Sequence, residues 1–512
     1  MSIYEKIIQN LTEEGVLPND FSLEEPVAPN QLRFAPGLMD SIFSSDTKGV
    51  RRILKKILRL LLKYFETMDQ KYLNKIEAHM GEVRAISLVD PILQSICEKH
   101  AKIDADKMIT ASKHLIKTSN NTEIVKVGIA LLGLVDLGHD VEAIELVKTL
   151  ATYDDFTLYA VVAAHSWTNG NPIVFHIAQR VYGWGKIHAV ERLEPETPEI
   201  RDWILHKGCE NGIMDAYLGL ECARKGNLIE VLRQETIDID SFNSASVILN
   251  AMLDEGPVDG ISVYEYSDEA ITLFLKHAQE QASDVVHLWR ILNLHNYLKS
   301  SKRDQKEELL NQCNEIIERS SWKQEIIKKI KMGDQNDLFY ASNVARRLGM
   351  DITHELFDLV KMDVIKYCFY FSPICKNESM AQEIIALCEE MLPLSEMSEG
   401  MGDYLFADKL NNEHMCLDMI LPELVAHPSQ GVELIMTGLN SRVIRGRNMA
   451  CRALSGWVEK LDKPLSEIAP NLYIEIERIY PLEVDEHVKK SMKALLDGTF
   501  VKEEPYIAYN DE

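Results

Sequence analysis

Residues 447–457 read Arg447-Asn448-Met449-Ala450-Cys451-Arg452-Ala453-Leu454-Ser455-Gly456-Trp457, and residues 487–495 read His487-Val488-Lys489-Lys490-Ser491-Met492-Lys493-Ala494-Leu495. Laid over each other, their Ala-Leu pairs (453–454 and 494–495) stand 41 residues apart. That offset falls in the range of a unit made of two helices and their turns. In the first copy the small residues Ala450, Cys451 and Ala453 let a neighbouring helix approach, while Leu454 and Trp457 supply core volume. Outward from this stretch the same texture continues. From Val50 onward apolar residues recur at three- and four-residue spacing, the period of a helix with one buried face. Turn signals interrupt the pattern at Gly138-His139-Asp140, Asn169-Gly170-Asn171-Pro172, Gly212, Gly226-Asn227 and Gly333-Asp334. Strand-like runs such as Ile261-Ser262-Val263 are isolated. The fold class read from the sequence is all-α.

Arg447, Ala450, Cys451, Ala453 and Leu454 together resemble the second helix of a HEAT repeat, with Gly446 where a Val is usual. The later copy fits with its Val488-Lys489 pair displaced by one position. Val125 to Leu134 (VKVGIALLGL) is a third echo. The chain is thus similar to the HEAT/armadillo-like superfamily. The resemblance implies an α-solenoid of HEAT-like helical hairpins whose concave surface is the functional part.

The chain has 512 residues, 46% of them hydrophobic, enough for large packed cores. Its formal charge is −25, unevenly spread. Residues 1–47 carry −6 and residues 48–119 carry +7, which leaves −26 beyond residue 119. An acidic body argues against nucleic acid as a partner, since duplex binding draws on clustered cations. Five blocks follow from composition and punctuation. Residues 1–47 form an N-terminal extension, partly extended because of Pro18, Pro26, Pro29 and Pro36, with a short helix from Ile3 to Leu11. Residues 48–255 are a helical repeat block with a basic capping helix, and 256–392 a central block that begins in the loop DEGPVDG (254–260). Residues 393–500 are the HEAT-like C-terminal block, and 501–512 an acidic tail. Nine scattered cysteines, none in a CxxC pair, read as reduced thiols of a cytoplasmic protein. The acids in MSIYEKIIQNLTEEG do not suit a secretory leader, and no apolar run is long enough to span a bilayer.

Catalytic and cofactor fingerprints are absent. There is no phosphate loop, zinc-protease helix, nucleophile elbow or dinucleotide turn. His354-Glu355 lacks its second His, because Asp358 stands there, and Cys97 with His100 gives two ligands where a zinc site needs more. No metal and no cofactor are expected. Lys48 to Lys63 (KGVRRILKKILRLLLK) holds seven basic residues and no acid. Val50, Ile53, Leu54, Ile57, Leu58, Leu61 and Phe65 form one helical face; Arg51, Arg52, Lys55, Lys56, Arg59 and Lys63 form the other. This amphipathic helix either caps the repeat array or meets an anionic surface. The capping reading predicts no membrane insertion.

Residues 165–207 concentrate three of the six tryptophans and four of the fifteen histidines. Gly183-Trp184-Gly185 suggests a tight turn that projects a ring at a hairpin end. Trp184, Lys186, His188, Arg192, Arg201 and Trp203 are the candidate binding residues, because Trp and Arg anchor binding hot spots. The alternative for each is core packing, or pairing with Glu191, Glu194 or Asp202. The window is also similar to bacterial helical proteins labelled limonene hydroxylase. No haem-type Cys motif, flavin fingerprint or iron triad accompanies that similarity here.

The leading reading is a non-catalytic helical-repeat scaffold whose partner is another protein or peptide. One rival is a nucleic-acid-acting HEAT-like protein similar to DNA glycosylases, which needs a positive groove. The other is a small-molecule enzyme that uses residues 165–207, which needs a deep pocket. The sequence carries no signal of oligomeric state.

Overall fold

The computed structural model describes residues 1–18, 20–23, 34–42, 50–80, 83–99, 103–256, 258–398, 400, 402 and 411–499. The acidic tail 501–512 and residues 43–49 lie outside the described residues, as does most of the loop 399–410. Helices make up 71% of the described residues, which contain no strand. The described chain divides between Arg319 and Ser320 into two compact units. The loop at 254–260 falls inside the first unit and the loop at 393–403 inside the second.

In the first unit, helix Ile3–Asn10 starts at a capping box formed by Ser2 and Glu5 and packs on helices Ala105–Thr118 and Val141–Ala151. Helix Val50–Thr67 is the basic segment. Ile57, Leu58, Leu61, Tyr64 and Phe65 are buried, while Arg52, Lys55, Lys56, Arg59 and Lys63 are exposed. It packs on helices Gln70–Met80, Val89–Glu98 and Ala105–Thr118. The tyrosine hydroxyl of Tyr64, absent from the expected apolar face, meets His114 Nδ1 at 2.6 Å.

Beyond it, alternate helices stack on one another. Thr122–Leu132, Asp154–His165, Gly183–Arg192, Ala216–Lys225, Ile239–Met252 and Val285–Ser300 form one row, each packed on the next. Ala105–Thr118, Val141–Ala151 and Gly170–Ala178 form a run beside it, and Leu228–Leu232, Ser267–Gln281 and Lys306–Ile317 form another. A helix with neighbours on several sides is apolar nearly all round. Accordingly every residue from Ile124 to Leu132 is buried. Asn121, Asp140, Asp238 and Asp284 cap helix starts by accepting first-turn N–H groups. Polar side chains then fix the stacking register. His287 Nε2 meets Asn243 Oδ1 at 2.6 Å, Arg290 donates to Ser246 Oγ at 2.7 Å, and Asn293 donates to Asn250 Oδ1 at 2.9 Å.

In the second unit, helix Ile444–Leu461 packs on helices Val432–Leu439 and Glu486–Leu496. Leu454 and Trp457 are completely buried, and Trp457 Nε1 donates to Leu424 O at 2.7 Å. Arg447 is also fully buried, in a two-pronged pair with Glu483 at 2.7 and 2.9 Å. None of the nine cysteines is paired with another in a disulfide. Among the described residues no helix is long and apolar enough to cross a membrane.

Candidate functional site

The six window residues do not converge on one point. Trp184 is 4% exposed, packed on the Tyr217 ring at 5.3 Å between centroids. The projecting ring expected of the Gly-Trp-Gly turn is therefore corrected. Gly183 does turn the chain, with φ +65°, but helix Gly183–Arg192 begins there and carries the indole inward. A Cβ on Gly183 would sit 2.4 Å from Asp154 Oδ2, so only glycine fits. Lys186 is buried and donates to Glu210 O at 2.6 Å, close to the rings of Tyr182 and Trp203. Burial pushes its ammonium below the usual lysine range. Arg192 pairs with Glu191 at 3.0 Å, and Arg201 reaches Pro195 O at 3.4 Å from the surface. His188 faces residue 41, described below.

Trp203 borders a cavity of about 680 Å³. Phe175 packs edge-on against it at 5.6 Å, and Glu199, Asp202, Glu210, Asp238 and Asp240 line the space. Five carboxylates give this cavity the opposite sign from a nucleic-acid groove. His206 lies in it between Ser244 Oγ (Nδ1, 2.8 Å) and Asp202 Oδ1 (Nε2, 3.5 Å). Ser244 Oγ also lies 2.9 Å from Asp240 O, one helical turn back, so its hydroxyl is shared with a backbone carbonyl. The His206–Ser244 contact fastens two helices. Among the described residues no group of three or more metal-ligating side chains is placed to hold an ion.

A second constellation lies on the stacked row itself, and residues 37–41 of the chain occupy it. Gly37 N donates to Asp155 Oδ1 at 2.7 Å. Asp40 meets Lys126 Nζ at 2.8 Å and Arg84 Nη2 at 2.7 Å, and accepts from Tyr159 OH at 3.1 Å. Ser41 Oγ donates to Gly37 O at 2.7 Å and meets His188 Nε2 at 2.8 Å. Gly37 has φ +80°, and a Cβ there would lie 2.9 Å from Trp184 Cβ. Asp40 and Lys126 are 2% and 1% exposed at their side chains. Burial would raise the Asp40 carboxyl, but Lys126 and Arg84 outweigh it and hold the group below its ordinary 3.8. Glu123 gives Lys126 a second carboxylate at 2.8 Å.

These contacts share a register. Lys126, Tyr159 and His188 come from three consecutive helices of the row and face the same segment. One helical turn further, Ala130, Ala163 and Arg192 occupy the same faces, since residues four apart lie above one another. These three line a groove of about 390 Å³, walled by Val89, Leu93, Leu158 and Val162. Tyr159 borders both the groove and the Asp40 contact. Val162 is 51% exposed in it.

Sequence reasoning reached His188, Arg192 and Trp184 on this surface but not Lys126, Tyr159, Asp155, Arg84 or Asp40. The available signal was Lys126, the one charged residue inside the otherwise apolar run VKVGIALLGL, which must find a carboxylate when buried. Comparison with protein-family models, with curated proteins and with solved structures returned no match to the chain.

Proposed function

We propose that the chain is a non-catalytic helical-repeat scaffold, an α-solenoid of HEAT-like hairpins that binds a protein or peptide along one helix row. The observation that carries this reading is the seating of Gly37–Ser41 across three consecutive helices, through Asp155, Lys126, Tyr159 and His188. A surface that holds a short segment by backbone N–H, carboxylate and hydroxyl contacts has the chemistry of peptide recognition. The stacking of alternate helices supports the solenoid, because that arrangement builds an extended surface from repeated faces. The net charge of −25 and the acid-lined cavity beside Trp203 favour protein over nucleic acid. Trp203 and Lys186 take part in this reading as neighbours of the acid-lined cavity, and Arg192 as the end of the groove.

The test is affinity purification from the native host with wild-type protein and a Val162→Glu variant as baits. A protein partner retained by the first and lost from the second is the expected result. Recovery of the same partner by both baits, or of nucleic acid in place of protein, overturns the reading.

A further inference from the structure

Resting on that reading, we propose that the Asp40 cradle is a receptor for a partner peptide that carries a carboxylate and adjacent apolar side chains, and that residues 37–41 occupy it as a tethered competitor. The partner's carboxylate takes the place of Asp40, and its apolar side chains fill the groove that begins at Tyr159.

Three observations point to this occupant. First, the cradle is built for an acid. Without Asp40, Arg84 loses its ion pair, Lys126 loses one of its two contacting carboxylates and keeps Glu123, with Asp155 nearby, and the Tyr159 hydroxyl loses its acceptor. A buried cation missing its carboxylate is costly, so the site selects for a replacement acid. Asp155 adds a demand for a backbone N–H three residues before that acid, as Gly37 supplies to Asp40.

Second, the tether satisfies the cradle incompletely. Arg84 Nε is buried and makes no hydrogen bond among the described residues. A ligand with one more acceptor beside its carboxylate makes a contact that residues 37–41 do not.

Third, the groove continues the occupied surface. Its wall is one helical turn along the same three helices, it shares Tyr159 with the cradle, and its lining is mostly apolar, with Asp90, Ser166 and Arg192 as further polar members. Ile42, the last described residue of the tether, is 53% exposed. An apolar groove joined to a carboxylate cradle fits a peptide in which acid and apolar side chains are neighbours.

Tethering gives the cis segment an effective concentration on the order of millimolar, so it masks the cradle from a partner of micromolar affinity. The experiment uses the full chain and a fluorescent, end-blocked peptide of residues 34–42, followed by anisotropy. Gly37→Val ejects the tether, since a side chain there collides with Trp184 and the left-handed backbone disfavours it, while every cradle residue stays. Asp40→Asn is the second variant, which weakens the tether by its charge alone. Circular dichroism confirms that both fold. Peptide binding about tenfold or more tighter in both variants than in wild type is expected, with loss of binding when the peptide's own Asp becomes Asn. Equal binding in all three proteins, or indifference to the Asp→Asn change in the peptide, overturns the proposal. A display selection on Gly37→Val with one fixed Asp should enrich apolar neighbours and lose its binders when Val162→Glu is added. Binders without apolar neighbours, or unaffected by Val162→Glu, overturn the groove assignment. If these arms fail while a host partner still depends on Val162, the scaffold reading stands and the tethered-competitor reading alone falls.

Discussion

Asp40 and Lys126 lie far apart in the sequence, yet their charged atoms are 2.8 Å apart and their side chains 2% and 1% exposed. Two charges removed from water this fully are stable only while each has a partner with good geometry. Lys126 has two, Asp40 and Glu123; Asp40 also has Arg84 and Tyr159. The two ends of the pair are therefore unequal. Removing the lysine takes a cation from two carboxylates at once and leaves Asp40 with Arg84, whereas removing the Asp40 charge takes one carboxylate from the lysine and leaves it Glu123.

Lys126→Ala should accordingly lower the stability of the first unit by about 3–5 kcal/mol, the scale of a broken buried pair. Asp40→Asn should cost visibly less. Urea unfolding followed by circular dichroism compares them. Equal losses would mean that Glu123 does not support Lys126 alone, and the asymmetry just described would be wrong.

Asp154 sets a pH dependence in the same unit. It accepts the N–H groups of Trp184 and Gly185 at the start of helix Gly183–Arg192, but burial dominates and pushes its carboxyl up to about 7. Neighbouring Asp155 adds to the rise. A carboxyl with a raised folded pKa holds its proton in the native chain after the unfolded chain has lost it. Its contribution to stability is present below about pH 4, near the unfolded value, and is lost as the pH climbs to about 7. Asp154→Asn should flatten that segment of the stability–pH curve. A curve between pH 4 and 7 with the same slope in wild type and variant would assign the effect elsewhere.

The all-α class was legible because period and punctuation are local properties. Leu454 and Trp457 were legible as core for the same reason: small residues beside large ones on one helix face declare a packed seam. Trp184 was misread because a glycine on each side implies a turn but not the side on which the ring falls. Gly183 turns the chain, and Asp154 and Tyr217, which decide the ring's burial, come from other helices. The Asp40 cradle was illegible for a stronger reason. It joins residues from an extension, a loop and three helices, and no spacing rule connects position 40 with 84, 126, 159 and 188.

In the second unit, Leu454→Ala should cost about 2–5 kcal/mol, as deletion of a fully buried side chain does. Arg447→Met should cost about 3–5 kcal/mol, because it leaves Glu483 fully buried without its cation. Adding Glu483→Leu to Arg447→Met should recover part of that loss, since no buried charge then remains unpaired. Denaturant unfolding of the two single variants and the double variant gives the three numbers. A double variant less stable than either single one would show that the pair's hydrogen bonds, including those Glu483 accepts from Val484 and Asp485, carry more than its charges do.

The basic helix Val50–Thr67 separates charge from insertion. A basic amphipathic helix binds anionic bilayers when its apolar face is free to enter the acyl boundary. Here Ile57, Leu58, Leu61 and Phe65 are 0, 8, 0 and 3% exposed, so that face is spent on the neighbouring helices. What remains outside is a row of cations: Arg52, Lys55, Lys56, Arg59 and Lys63. Cations near an anionic surface gain about 1 kcal/mol each and are screened by salt, and the chain's charge of −25 opposes approach. The protein should therefore stay in the supernatant when centrifuged with phosphatidylserine-containing vesicles at physiological salt. Pelleting that persists in high salt would require the apolar face to leave its seat, and tryptic cleavage within 52–63 should then rise on vesicle addition. Pelleting that salt abolishes, and that Arg52→Glu with Lys55→Glu and Lys56→Glu also abolishes, would instead make the exposed row an electrostatic docking face.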